Sequence, residues 1–266
     1  MKDLRKNQFT MNTLGYSKQM VFSWEKMVIG FLLFSSLSFG QNNKAIITYK
    51  MFYATNSITG KRIDSVHKGM FMSYMDMMQE ESKNLQFTLK IKNQESLFKL
   101  DKQLSTSRAS SAKKVLGGGT IYVNSQSEEV LNEISSFGEP FLVSRALNDR
   151  NWTITNEIKM IGNYLCYKAT SVKIVKTFIR VSEHPIEAWF APEIPFRFGP
   201  SKYYGLPGLI LEVTCHNTKF YASNIQLNPA SKLTIKRPNR GKKVTRAELD
   251  VLEEKMAMEY IKSKTR

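Results

Sequence analysis

Three histidines, His67, His184 and His216, are the chain's only imidazoles, and they stand far apart with no ligand spacing between them. A zinc site of the usual kinds needs four clustered His or Cys ligands, or three and a water, so no zinc centre is expected. The densest run of soft donors is Met70-Phe-Met72-Ser-Tyr-Met75-Asp-Met77-Met78, with His67 just ahead of it. Thioethers suit Cu(I), and His67, Met70, Met72, Met75 and Met78 are the set that would hold it. On a helix, however, Met72, Met75 and Met78 share one edge, which is also how a core-facing stripe looks. Core packing is therefore the preferred reading and copper the alternative.

Hydrolytic chemistry has equally thin support. Glu187, Glu193 and Glu212 flank one segment, and a carboxylate pair is what glycoside hydrolysis requires. Nothing in their neighbours separates them from solvated strand and loop acids. No Gly-x-Ser-x-Gly elbow accompanies any serine, and Gly117-Gly118-Gly119 lacks the Lys-Ser/Thr of a phosphate loop. No catalytic residue is assigned and no cofactor is expected. Cys166 and Cys215 form an even pair that an oxidising compartment would allow to bridge. Alternation sets Cys166 in phase with Lys168 and Thr170 but Cys215 in phase with Leu211 and Val213. A disulfide would need a bulge to change that phase, and bridge and free thiols both stay open.

These residues sit on a pattern of short strands. Ala45–Tyr53 alternates Ile47, Tyr49, Met51 and Tyr53 against more polar neighbours. A helix is expected over Gly69–Asn84, then a hairpin from Leu85–Ile91 and Ser96–Leu100 around Asn93-Gln94-Glu95. Residues 101–119, rich in Ser, Lys and Gly, read as a mobile loop. Further strands are expected at Thr120–Asn124, Val130–Ser135, Trp152–Ile158, Tyr164–Val175, Phe178–Val181 and Ile186–Phe190. A last pair, Leu209–His216 and Phe220–Leu227, turns at Asn217-Thr218. Thr245-Arg-Ala-Glu248 is a capping box opening a helix with Leu249, Leu252, Met256 and Tyr260 on one face. The expected fold class is mainly β within α+β: a single curved antiparallel sheet or half-barrel with a helix near each end.

The most distinctive stretch runs from Trp189 to Glu212 and contains Pro195, Gly199-Pro200 and Gly205-Leu206-Pro207-Gly208-Leu209-Ile210. Leu206-Pro207-Gly208 suits a type II turn with Gly208 at positive φ, and Leu209-Ile210-Leu211 suits a strand buried on both faces. Phe196, Phe198, Tyr203 and Tyr204 supply aromatic surface around it. They read first as the cover of a core edge and second as the rim of a ligand or partner mouth. The hexapeptide, the approach Ala188-Trp189-Phe190 with Glu193-Ile194-Pro195, and the segment Gly162-Asn-Tyr-Leu-Cys166-Tyr-Lys168-Ala169 resemble the GLPGLI family of exported Bacteroidetes proteins. The early hairpin Phe87-Thr-Leu-Lys-Ile91 with Glu95-Ser-Leu-Phe98 is similar too, so the likeness spans about Ala45 to Leu227. It implies fold and compartment, and no assigned activity.

Compartment is also written at the start of the chain. Lys26, the apolar run Val28–Phe34 and small residues at Ser38 and Gly40 read as a signal peptide cleaved near Gly40-Gln41. The run is too short to span a bilayer. Five of the 39 basic and two of the 23 acidic residues fall in that leader, which leaves a net charge of +13 on the remainder. The basic residues are spread along the chain, and the one dense run, Lys236–Arg246, reads as an exposed linker, so no nucleic-acid partner is expected. The expected organisation is a leader (1–40), a β-rich domain (41–231) and a basic linker with an appended amphipathic helix (232–266). The expected role is an exported, periplasmic or secreted, non-catalytic binding or assembly module of the cell envelope. It would hold an apolar ligand or an envelope protein. An envelope hydrolase acting on glycan or peptide, or a Met-rich copper binder, are the alternatives.

Overall fold

The computed structural model describes residues 43–54, 65–101, 116, 118–148, 150–176 and 181–264. The leader and most of the expected loop at 101–119 lie outside that set. Twelve strands form one sheet among the described residues: β1 (Lys44–Tyr53), β2 (Gln86–Lys92), β3 (Glu95–Leu100), β4 (Thr120–Asn124), β5 (Glu129–Ser136), β6 (Glu139–Ala146), β7 (Thr153–Ile161), β8 (Tyr164–Lys176), β9 (Val181–Ala191), β10 (Leu209–Cys215), β11 (Thr218–Leu227) and β12 (Lys242–Thr245). Two helices join them, α1 (Ser65–Lys83) and α2 (Arg246–Lys264). The spatial order is β12-β6-β5-β4-β3-β2-β1-β11-β10-β9-β8-β7.

Mainly β is what forms, but two finer expectations fail. The sheet is open, with β7 and β12 as its edges, and is not a half-barrel. It is also not wholly antiparallel, because β12 runs parallel to β6, Val244 opposite Val143. β6 and β12 escaped the sequence reading for a physical reason. Phe141, Leu142 and Val143 are all buried, Phe141 and Val143 against Val244 and Leu249, Leu142 against Tyr122 and Leu131. A strand covered on both faces shows no alternation. The linker expectation is corrected with it: Ile235 packs on Leu142's face and Val244 and Leu249 on Val143's, so the C-terminal segment completes this end of the sheet. The capping box does form. Thr245 N–H donates to Glu248 at 2.7 Å, and Glu248 N–H donates to Thr245 Oγ1 at 3.2 Å. Leu249 is buried and Leu252 and Met256 half-buried, while the side chain of Tyr260 lies outside the described set.

The main core follows from alternation. Ile47, Tyr49 and Met51 of β1 meet Phe87, Leu89 and Ile91 of β2 and Phe98 of β3 on one face. Phe87 stacks on Phe98 at 5.2 Å and meets Phe220 edge-on at 5.3 Å. β9 takes in the expected run Ile186–Phe190 and begins at Val181, and the rest of the expected run Phe178–Val181 lies outside the described residues. Pro185 is tolerated because β10 ends opposite Ile186, one residue earlier, so that side of β9 needs no further amide there.

Candidate functional site

The signature segment 192–208 leaves β9, folds across the core and returns as β10. Its prolines set its shape. Phe196 N–H donates to Ile194 O at 2.7 Å and Gly208 N–H to Leu206 O at 2.8 Å, so Pro195 and Pro207 each centre a three-residue turn. The expected type II turn at 207–208 is therefore replaced. Gly208 has φ +159°, nearly extended, and is required for another reason: a Cβ there would stand 2.7 Å from Ala191 C and 2.9 Å from Pro192 Cα. Gly199 is likewise closed in, its virtual Cβ 2.6 Å from Tyr203 O and 2.7 Å from Ile210 Cβ. The loop is laced to itself by Leu209 N–H on Ile194 O, Ile210 N–H on Phe198 O and Gly205 N–H on Arg197 O, at 2.9–3.0 Å. Beside the β9–β10 register shift, Tyr49 of β1 donates its hydroxyl to Ile210 O at 2.6 Å. That phenol is fully buried, which pushes its pKa far up and keeps it a donor.

The aromatic rim is corrected. Phe196, Phe198, Tyr204 and Trp189 are buried, as are Leu206, Leu209, Ile210, Ile194 and Pro200; they are core cover, and only Tyr203 is half-buried. The methionine set is corrected too. Met75 and Met78 are buried, with Tyr53 Oη 3.9 Å from Met75 Sδ, whereas Met70 is 70% exposed and Met72 also faces outward. The side chain of His67 lies outside the described residues. The disulfide does not form. Cys215 stands opposite Ile186 and Ile186 opposite Ser171, five residues along β8 from Cys166 and of opposite parity. Both are buried free thiols on opposite faces of the sheet. Burial pushes Cys166 up to about 11 despite the nearby Lys159 ammonium.

Two charged regions flank the signature; the sequence named Glu187 and Glu212 of the first without their lysine partners, and did not single out the second. On the face of the sheet opposite the core, Glu212 meets Lys159 at 2.8 Å and Lys219 at 3.1 Å. Lys168 meets Glu187 at 3.0 Å and Glu157 at 3.1 Å. Trp189 donates its indole N–H to Glu187 at 3.0 Å, and the Lys159 ammonium sits 4.3 Å from its ring centre. Burial raises Glu187, but the bonds from Lys168 and Trp189 more than offset this and hold it below the usual carboxylate range. A carboxyl held ionised by lysines is a poor general acid. Glu193 is exposed.

The second region is rich in cations. Arg150 lays its guanidinium 5.2 Å from the Tyr203 ring centre and 5.7 Å from that of Trp152, whose indole N–H donates to Tyr204 O at 2.9 Å. Tyr203's hydroxyl lies near the Cys215 thiol, and burial followed by that thiol raises the phenol's pKa. Lys202 is half-buried here; burial first, then the charges of Arg145, Lys173, Arg246 and Arg150, lower it to about 8. Beside it, Ser144, Arg145, Ala146, Thr245 and Arg246 line a cavity of about 400 Å³. A signal was present in the sequence: Arg197 and Lys202 lie in a stretch that carries no acid between Glu193 and Glu212.

With this geometry in view, the family model of a protein of unknown function (Porph_ging) matches residues 176–212, from the end of β8 through β9 and the signature into β10. Curated proteins include no match to the chain. Among solved structures, PNGF-II in a P21 crystal form is similar at 14% identity and a TM-score of 0.48, over 80% of this chain and 33% of that one. The C2 form of PNGF-II gives 15% and 0.46 over the same shares. The chain thus spans about a third of that protein's length, and a TM-score below 0.5 carries no inference about fold or function.

Proposed function

We propose that the chain is an exported, non-catalytic binding or assembly module of the cell envelope, of the GLPGLI kind that its signature resembles, and that its partner is an envelope protein. One observation supports this reading. The core-side face of the sheet continues past the signature loop onto its outermost pair of strands, where Ile154, Ile158, Met160 and Leu165 share the face of Tyr167 and Ala169. There they are 50%, 58%, 60% and 41% exposed. Among the described residues β7 is an edge strand, and one row of its amide and carbonyl groups meets no further strand there. An apolar strip beside an open edge is a surface on which a protein partner adds a strand and buries side chains at once.

Site-specific photo-crosslinking in the producing cell tests this. A photoreactive residue at position 160 should give a discrete adduct that is lost on Ile158→Lys, while the same residue at position 92 gives none. Absence of any position-160 adduct in properly exported protein would refute the reading. N-terminal sequencing of the envelope fraction, expected to begin at Gln41, checks export separately.

A further inference from the structure

Folding joins two histidines that lie far apart in the sequence. His184 is on β9 and His216 at the tip of the β10–β11 hairpin, and their rings meet at right angles with centres 4.5 Å apart. They are two of only three histidines in the chain. The topology explains the meeting. Cys215, the last residue of β10, stands opposite Ile186, and the chain turns back over His216-Asn217 into Thr218, so the turn lies beside the next residues of β9. His184 is half-buried and His216 exposed, so solvent reaches the pair. His216 has φ +52°, the left-handed region that a two-residue hairpin ordinarily gives to Gly, Asn or Asp. Holding an imidazole there costs backbone stability, and an exposed ring offsets none of it by burial.

The geometry points to a two-imidazole binding site for a divalent transition metal, Cu²⁺ before others. A coordinated imidazole nitrogen lies about 2.0–2.1 Å from its metal, which puts the ring centre roughly 3.2 Å away. Two such ligands at a right angle have ring centres roughly 4.5 Å apart, and a tetrahedral angle spreads them to roughly 5.2 Å. The 4.5 Å between His184 and His216 matches the right angle. That separation does not depend on how each ring turns about its metal bond, so crossed ring planes are compatible with it. Right-angled nitrogen and oxygen ligands are the preference of tetragonal Cu²⁺ and Ni²⁺, and of the two Cu²⁺ binds more tightly. One nitrogen from each ring suffices, and the second nitrogen of a ligating imidazole ordinarily donates to a neighbouring group. Among the described residues no third His, Cys, Asp or Glu completes a cluster, so water fills the remaining positions and the metal is exchangeable. Lys173, opposite His184 on β8, is exposed, and solvent screens its charge. The thioethers of Met70, Met72, Met75 and Met78 take no part. The site shares no residue with the apolar strip beside β7, and the two readings fail separately.

Titration of the purified, chelator-treated chain with copper sulfate, against glycine as a competing ligand, tests it. One Cu²⁺ should bind per chain, and pulsed electron paramagnetic resonance should find two imidazole nitrogens on it. His184→Gln and His216→Asn should each weaken binding by roughly tenfold or more and leave one imidazole in the spectrum. Asparagine suits the left-handed turn position, so His216→Asn keeps the hairpin, and circular dichroism without metal checks that both variants are folded. His67→Gln should bind copper as the wild type does. Cu²⁺ should also raise the melting temperature of the wild type and not that of His184→Gln at the same concentration. Unaltered affinity in either folded variant, a single imidazole in the wild-type spectrum, or loss of binding in His67→Gln would overturn the assignment.

Discussion

Lysines on this one sheet meet two opposite fates. On the lattice around Trp189, Lys168 lies between Glu187 and Glu157, whose bonds raise its pKa. At the corner beside Tyr203, Lys202 is half-buried among cations and lowered to about 8. Cations gather in both places, so their presence alone does not separate the two. What separates them is neutralisation. The lattice has acids at hydrogen-bond distance and ties β7, β8, β9, β10 and β11 together; at the corner no carboxylate among the described residues pairs with Lys202, and Asp250 and Glu253 are taken up by Arg246. The lowered Lys202 beside a fixed aromatic frame is the more informative of the two, because a purely structural role does not require it.

The largest way to break both regions at once is through the loop that serves them. The segment 192–208 delivers Lys202 to the corner and leads into the strand that carries Glu212. Gly208→Val would drive a side chain onto Ala191 and Pro192, backbone on both counts. Nothing there is the yielding end of a flexible chain. The expected loss is about 3 kcal/mol or more, or failure to fold. A denaturation midpoint equal to wild type would show that the loop gives way and that its close approach is not required.

How much of this was legible divides along the same line. Strands covered on one face announce themselves by alternation, as β1, β2 and β8 do, and the capping box at Thr245 and Glu248 is a local device that needs no tertiary context. β6 and β12 were hidden because burial on both faces erases alternation and because Lys242-Lys243 masks a strand whose one apolar residue is Val244. The signature's importance was legible, and its aromatics, read first as cover of a core edge and second as a rim, are buried apart from Tyr203. Gly208 was identified as indispensable for the wrong reason, since a close approach between chain segments 17 residues apart leaves no local trace. The cationic corner joins residues from β6, β7's approach, β8, the signature and α2. Only the pairing of strands brings them together, so no spacing rule could have found it.

Within the lattice, Glu212→Gln should be clearly destabilising. Glu212 is the shared partner of Lys159 and Lys219, and it is only 15% exposed. Without its charge the two ammonium groups face each other beside Trp189. The expected loss is about 1–3 kcal/mol, read as a lower urea midpoint at pH 7. Glu212→Gln with wild-type stability would make the lattice an ordinary exposed ion-pair surface.

At the corner the same operation has the opposite sign. Lys202→Met removes a charge that the folded state disfavours and should raise stability at pH 7 by roughly 1 kcal/mol, discounted for partial exposure. The pH dependence follows from linkage. The folded pKa of about 8 lies below that of the unfolded lysine, so between these values the unfolded chain binds more protons. Wild-type stability should therefore rise as pH climbs from about 8 towards 10, and the Lys202→Met curve should lack that increment. A destabilised Lys202→Met would place an unseen counterion at the corner and end the contrast.

The smallest effect concerns the two thiols, one on each side of the comparison. Cys166 is fully buried on the lattice face, opposite Lys159, with its pKa pushed up to about 11. Cys215 is buried against Tyr203, whose ring carries Arg150. Unfolded, the reduced chain should show two thiols to dithiobis(nitrobenzoate), and non-reducing mass spectrometry should find no bridge. In the native state both should react slowly at pH 8, since both thiols are buried from the reagent and burial also raises the Cys166 pKa. Of the two, Cys215 should react first, because the reagent is an anion and the corner is the place that concentrates anions. Added salt should then slow Cys215 and leave Cys166 unchanged. If salt slows both equally, or Cys166 leads, the corner exerts no field that a passing anion can feel, and its cations are screened as thoroughly as those of the lattice.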